Sequence, residues 1–290
     1  MSLCNKIGFS TNIFDNPADI ARLVERLAND FKAIEIEFEK DLRFMIDSNE
    51  AEWHKQRDKL NLIREVTGVY YSTHAPYIGM ETDISNRDEV TRLCAVDYLS
   101  RYIIRAAEIG ADIITIHPGY VELDQLGMVS FDFDQLAKSL DALTAVSLKH
   151  KIEILLENTG PDREKYIVLS DQQHERLCRH GNISLTLDLV HFHAFYHKLN
   201  KDEYLEKLKK IIPDVKNAHF NDVCNGEHVH LPLQKGNFDY HQVLDFMRGE
   251  GYQGNFIVEE SGGGYSPDDF VMSAKSYIGQ LKAGHVQCAT

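Results

Sequence analysis

The sequence predicts a single parallel (β/α)8 barrel of the α/β class, on three observations. Eight short β-rich segments run along the chain, a helix-like pattern follows each of them, and the length of 290 residues is close to the roughly 250 typical of such a barrel. A doubly wound open sheet is the competing arrangement, but no glycine-rich phosphate turn follows the first β segment. One domain is expected over residues 1–290, with residues 1–4 as a short leader.

The eight strands are expected at 6–10, 33–38, 69–74, 112–117, 152–157, 183–188, 215–219 and 256–259. Most are short and rich in Ile, Val and Leu, the composition of strands buried on both faces under a layer of helices. The intervening segments change period to three and four residues. Val90, Leu93, Ala95, Val96 and Leu99, ahead of Ile103 and Ile104, give one such helix, and 239–248 and 267–281 give the last two.

Composition narrows the function classes. The 31 Lys and Arg against 45 Asp and Glu give 31 − 45 = −14, which disfavours indiscriminate binding to nucleic acid or anionic membrane without closing the nucleic-acid class. At 43% hydrophobic and 26% charged residues, the chain can bury a sizeable core. No apolar run approaches the roughly 18 residues of a membrane span. Cysteines 4, 94, 178, 224 and 288 form no CxxC pair, and the start carries no apolar segment behind basic residues. The expectation is a cytoplasmic protein with free thiols; self-association into a homo-oligomer stays open.

The third to eighth strands, excepting none, end in a residue able to ligate a metal: His74, His117, Glu157, Asp188, His219 and Glu259. Their separations of 43, 40, 31, 31 and 40 residues are one βα unit each, so closing the barrel brings all six to one rim. One histidine or carboxylate at a strand end is ordinarily a hydrogen-bonded loop residue. Six in register, mixing imidazole and carboxylate, are the donor set that divalent cations prefer. His191, three residues past Asp188, and the pair His228 and His230 join them. His193 and His197 fit no register and are expected at the surface or behind the ligands.

These residues lie in motifs whose order resembles the xylose-isomerase-like TIM barrels, which include sugar isomerases, sugar epimerases and endonuclease IV. The motifs are Thr73-His74-Ala75-Pro76-Tyr77, His117-Pro118-Gly119, Leu156-Glu157-Asn158-Thr159, Leu187-Asp188-Leu189-Val190-His191, His219-Phe220-Asn221-Asp222 and residues 254–259. The resemblance implies a four-ligand metal centre of Glu157, Asp188, His219 and Glu259, with Glu157 and Glu259 moving protons and His191 contacting substrate. Endonuclease IV implies a larger site, in which His74 and His117 join Glu157 around one zinc, and His191 and His230 hold another. An aspartate of that pattern is His228 here, Asp-Thr-Cys-His becomes Asp188-Leu189-Val190-His191, and Asn-Asp-Ser-Lys becomes Asn221-Asp222-Val223-Cys224.

Two chemistries follow, with one to three divalent ions (Zn, Mn, Co or Mg) per chain. In a sugar or sugar phosphate isomerase or epimerase, a base takes a proton beside a carbonyl or alcohol while a cation stabilises the charge that develops. Lys235, beside Gly236 and Asn237, and Arg163 are candidate phosphate contacts. In a zinc phosphodiesterase acting on abasic-site DNA, clustered ions activate a water and clamp the reacting oxygens. Tyr77, Lys40 and Arg43 are the candidates to touch DNA, but no basic run with interleaved aromatics accompanies them. A barrel that binds a small metabolite without turnover is the third class; the presence of both glutamates argues against it.

Overall fold

The computed structural model describes residue 3 and residues 6–14, 19–119, 131–160, 169, 171–181, 183–260 and 262–283. Eight strands close in sequence order into one parallel barrel: β1 (Ile7–Ser10), β2 (Ala33–Glu37), β3 (Tyr70–His74), β4 (Ile113–Ile116), β5 (Glu153–Glu157), β6 (Ser184–Asp188), β7 (Val215–His219) and β8 (Asn255–Val258). Every strand falls within one residue, at each end, of the segment expected for it. Closure is made by β1 against β8, through Ile7↔Phe256, Gly8↔Ile257 and Phe9↔Val258.

Among the described residues, ten helices surround the barrel: α1 (Ile20–Ala28), α2 (Lys40–Ser48), α3 (Glu50–Thr67), α4 (Glu89–Glu108), α5 (Phe133–His150), α6 (Asp171–Gly181), α7 (Leu189–Tyr196), α8 (Lys201–Ile211), α9 (Tyr240–Gly249) and α10 (Pro267–Ala283). Their limits are set by capping. Asp88 accepts from the Thr91 amide at the start of α4, Asn200 and Glu203 form a capping box on α8, and Gly68, at φ 66°, ends α3 in the left-handed conformation. The apolar face of α4 is Ala95, Leu99, Tyr102, Ile103 and Ala106; Val90 and Leu93, expected on it, are exposed. Both lie in its first turns, on the side turned from the barrel.

The outer faces of the strands pack on the helices: Phe9 stacks on Phe31 at 4.9 Å, and Phe38 lies between Trp53 and Tyr102. Leu3, inside the expected leader, is buried in this core. The inner faces are more polar than such barrels usually are. Glu35, Ser72, Thr115, Thr186 and Asn217 are fully buried there, and the hydroxyls of Thr115 on β4 and Thr186 on β6 meet over β5 at 2.7 Å. Cys94, Cys178 and Cys224 are free thiols. Among the described residues no helix is long and apolar enough to cross a membrane.

Gly8 marks the tightest part of the closure. A Cβ there would meet the Ala33 carbonyl oxygen at 2.7 Å and Ile257 Cδ1 at 2.5 Å. Gly8→Ala is expected to destabilise the protein by about 1–3 kcal/mol. The measurement is a chemical denaturation curve; an unchanged midpoint would mean that β1 gives way without cost.

Candidate metal centre

The barrel register assembles the site. His74, Glu157, Asp188 and His219 are the last residues of β3, β5, β6 and β7, while His117 and Glu259 come one residue after β4 and β8. All six are buried. Glu157, Asp188, His219 and Glu259 bring ligand atoms within 4.8 Å of one another. Donors on opposite sides of one ion, at bonds of about 2.1 Å, lie about 4.2 Å apart, so the set matches a single coordination sphere. His74, His117 and Glu157 form a second group by the same measure, and His191, His228 and His230 a third. Glu157 belongs to both of the first two.

Local structure fixes each donor. Asp188 caps α7, its Oδ1 accepting the His191 amide at 2.7 Å, so one residue both starts the helix and faces the centre. His191 Nδ1 is 2.8 Å from the Asn158 carbonyl oxygen, which makes Nε2 its free donor atom for a ligand. His228 and His230 ride on the loop after β7. That loop is closed by paired backbone bonds between Asp222 and Leu231 and gathered around the Asp222 carboxylate, which accepts from Val223, Gly236 and Phe238.

His74 Nε2 and His117 Nε2 reach Glu157 Oε2 at 2.9 and 3.2 Å. His219 Nδ1 lies 3.5 Å from Glu259 and 3.6 Å from Glu157. Burial pushes Glu157 up, but the imidazoles of His117 and His219 outweigh it and hold this carboxyl well below the usual range. Burial carries Asp188 to about 6 and, with the charges of Glu157 and Asp188 beside it, raises Glu259 well above the usual range. Burial also depresses His117 to about 4 and His230 to about 3, which leaves both rings neutral and able to donate a lone pair. His74 and His219 go the other way, because Glu37 and Glu157 around the first, and Glu259 and Glu35 around the second, overcome burial. Asp188 Oδ2, His219 Nδ1 and His230 Nε2 are buried with no hydrogen bond among the described residues. Buried donor atoms of this kind, in a mixed nitrogen and oxygen set, fit a divalent cation.

Three glutamates on and just after β2 went unnoticed in the sequence. Glu35 reaches His219 Nε2 at 2.9 Å and also accepts from Ser72 and Asn217. Glu37 is the register partner of His74, and burial lifts its carboxyl to about 8. Glu39 accepts from the Tyr77 and Ile78 amides and is joined by Arg43. The signal was the alternation Glu-Ile-Glu, which places both Glu35 and Glu37 on one face of a buried strand. Glu260, also missed, stands 3.4 Å from His230.

Other candidates lie elsewhere. Lys235 is exposed, with Asp269 as a charged neighbour, and is not among the clustered residues. Arg163 lies outside the described residues. Lys40 is bonded to the Asn12 carbonyl, and Arg43 to Glu39, Glu81, Tyr98 and the Ile78 carbonyl, so both cations are engaged inside the protein. Tyr77 stacks on His117 at 4.6 Å and belongs to the rim. His193 is half-buried and packs on Phe238, and His197 is exposed and bonds the Ala194 carbonyl.

Known proteins agree with this architecture. The family model described as xylose isomerase-like TIM barrel matches residues 21–276. An uncharacterised protein of Methanocaldococcus jannaschii is 24% identical over 258 residues, covering 88% of this chain and 83% of its own length. A probable endonuclease 4 of Aster yellows witches'-broom phytoplasma is 30% identical over 160 residues, or 52% of each chain. The crystal structure of a D-tagatose 3-epimerase-like protein superposes with a TM-score of 0.74 at 22% identity, covering 97% of this chain and 100% of that one, a likeness of fold. With the family model running from α1 through β2 to β8 and into α10, the chain belongs to the xylose isomerase-like TIM barrel family.

Proposed function

We propose that the protein is a divalent-metal-dependent isomerase or epimerase of a sugar or sugar phosphate. The observation that carries this reading is the convergence of two glutamates, Glu157 from β5 and Glu259 after β8, on one four-ligand group with Asp188 and His219. Three strand intervals separate β5 from β8, so the two carboxyls approach the centre from different sides. A cation held there would supply electrostatic stabilisation of negative charge developing on the substrate oxygens. Glu157, held ionised by the imidazoles around it, takes the proton from the reacting carbon, and Glu259 returns a proton from its own side. His191, with Nδ1 tied to the Asn158 carbonyl, offers Nε2 to a substrate hydroxyl. Lys235 on its exposed turn is a contact for a phosphate only at the outer end of a substrate.

A zinc phosphodiesterase acting on abasic-site DNA is the second reading, and one observation favours it. The groups His74–His117–Glu157 and His191–His228–His230 add two further sets of donors beside the first. Against it stand Lys40 and Arg43, whose cations are engaged within the protein.

Glu157→Gln and Glu259→Gln should each lower turnover on a ketose substrate about 10²–10⁴-fold while the circular dichroism spectrum is unchanged; full activity in either variant removes that glutamate from proton transfer. Chelation should lower the melting temperature, because the buried carboxylates then lose their counter-charge. Elemental analysis decides between the readings: about one ion per chain supports the isomerase or epimerase, two or three zinc ions the phosphodiesterase. His228→Ala separates them again. It should leave ketose turnover nearly intact in a one-metal enzyme, and cost about 10–100-fold in a phosphodiesterase that uses the third group.

A further inference from the structure

Three glutamates at the top of the second strand and the turn after it have different surroundings. Glu35 is engaged by His219, Ser72 and Asn217, and Glu39 by two backbone amides and Arg43. Glu37 stands between them, 5% exposed, and neither of its carboxyl oxygens has a hydrogen-bond partner among the described residues. Leaving a buried polar group unpaired is costly, and more so for a charge. Glu37 nonetheless faces the centre, with one oxygen within 4.8 Å of donor atoms of His74 and Glu259.

The position of β2 says what would meet this carboxyl. The four-ligand group comes from β5 to β8, and β2 lies across the eight-stranded barrel from β6. β2 is also only two strands from β8, with Glu37 within 4.8 Å of a Glu259 donor atom, so a molecule held at the four ligands meets Glu37 on its β8 side. A cation is a poor occupant of the Glu37–His74–Glu259 corner, because His74 Nδ1, 3.5 Å from Glu37, already donates to the Ala75 carbonyl at 2.8 Å. An anionic group is also a poor occupant, since Glu35, Glu39 and Glu157 are the charged neighbours of Glu37 besides His74. A hydroxyl suits it, being able to give a proton to a carboxylate or accept one from a carboxylic acid.

We propose that Glu37 is a specificity-determining residue that hydrogen-bonds a hydroxyl of a polyhydroxy substrate beside Glu259, on the β8 side of the four ligands. This rests on the sugar isomerase or epimerase reading, and it places any phosphate of the substrate at the mouth of the site instead of in this corner.

The test is calorimetric binding of D-fructose and D-tagatose to the protein carrying the metal with which it purifies, for wild type, Glu37→Gln and Glu37→Leu, with metal content measured on each sample. Glu37→Leu should weaken ketose binding about 10-fold or more, since an unpaired hydroxyl then faces an apolar side chain. Glu37→Gln should restore binding to within about threefold of wild type, because the amide still offers a donor and an acceptor. Both variants should keep the wild-type metal content; Glu37→Ala replaces the leucine variant if that one does not fold. Ketose binding unchanged in Glu37→Leu overturns the assignment while leaving the isomerase or epimerase reading intact. Loss of metal from Glu37→Leu overturns it in favour of a role in holding the cation. A metal-bearing wild type that binds neither ketose overturns both the assignment and the reading on which it rests.

Discussion

Hydrogen-bond register around the closed sheet is the constraint on which the rest depends. Glu37 pairs with His74 and Asp188 with His219, so the height of each donor above the lumen is set by backbone ladders. A shift of one residue in any strand would turn its donor from the lumen to the helix layer. Gly8 matters for the same reason, since the closing strands approach there more closely than a side chain permits. The site is therefore built mainly on strand ends: His117 and Glu259 come one residue beyond theirs, and His191, His228 and His230 come from a helix turn and a loop.

The second theme is concentrated acid. Glu35, Glu37, Glu157, Asp188 and Glu259 are all buried within one end of the barrel, with His74 and His219 as the partners most firmly held in the charged form. Removing several like charges from water is costly unless opposite charge or protons accompany them. Burial raises the carboxyls of Glu37, Asp188 and Glu259, which favours protons as part of that compensation. Glu35 has a separate function: by holding His219 Nε2 from below, it orients the ring so that Nδ1 points to the ligand group.

Much of this was legible in the sequence because parallel strands buried on both faces leave a plain apolar trace, and because their ends repeat once per βα unit. His74, His117, Glu157, Asp188, His219 and Glu259 could be read from that repeat alone. Glu35 and Glu37 could not, since their acidity looks like solvent exposure when the strand's second face is ignored. Position in sequence also misled for Lys235: it is close in number to His230, yet the turn carrying it faces α10. Arg43 follows a strand end as a DNA contact would, but its reach lets it fold back to Glu39 and the Tyr77 turn, a choice set by side-chain length and local partners that spacing does not encode.

The contact between Thr115 and Thr186 bears on traffic through the site. With these hydroxyls of β4 and β6 in contact inside the barrel, and Glu35, Ser72 and Asn217 bonded near them, polar side chains pack the lumen beneath the ligands. Among the described residues these groups fill the lumen below the ligands, so the top of the barrel is the side from which ions and organic molecules approach. A molecule seated over the ligands closes that approach to whatever lies deeper. An ion bound deeper than an organic molecule would then arrive first and leave last.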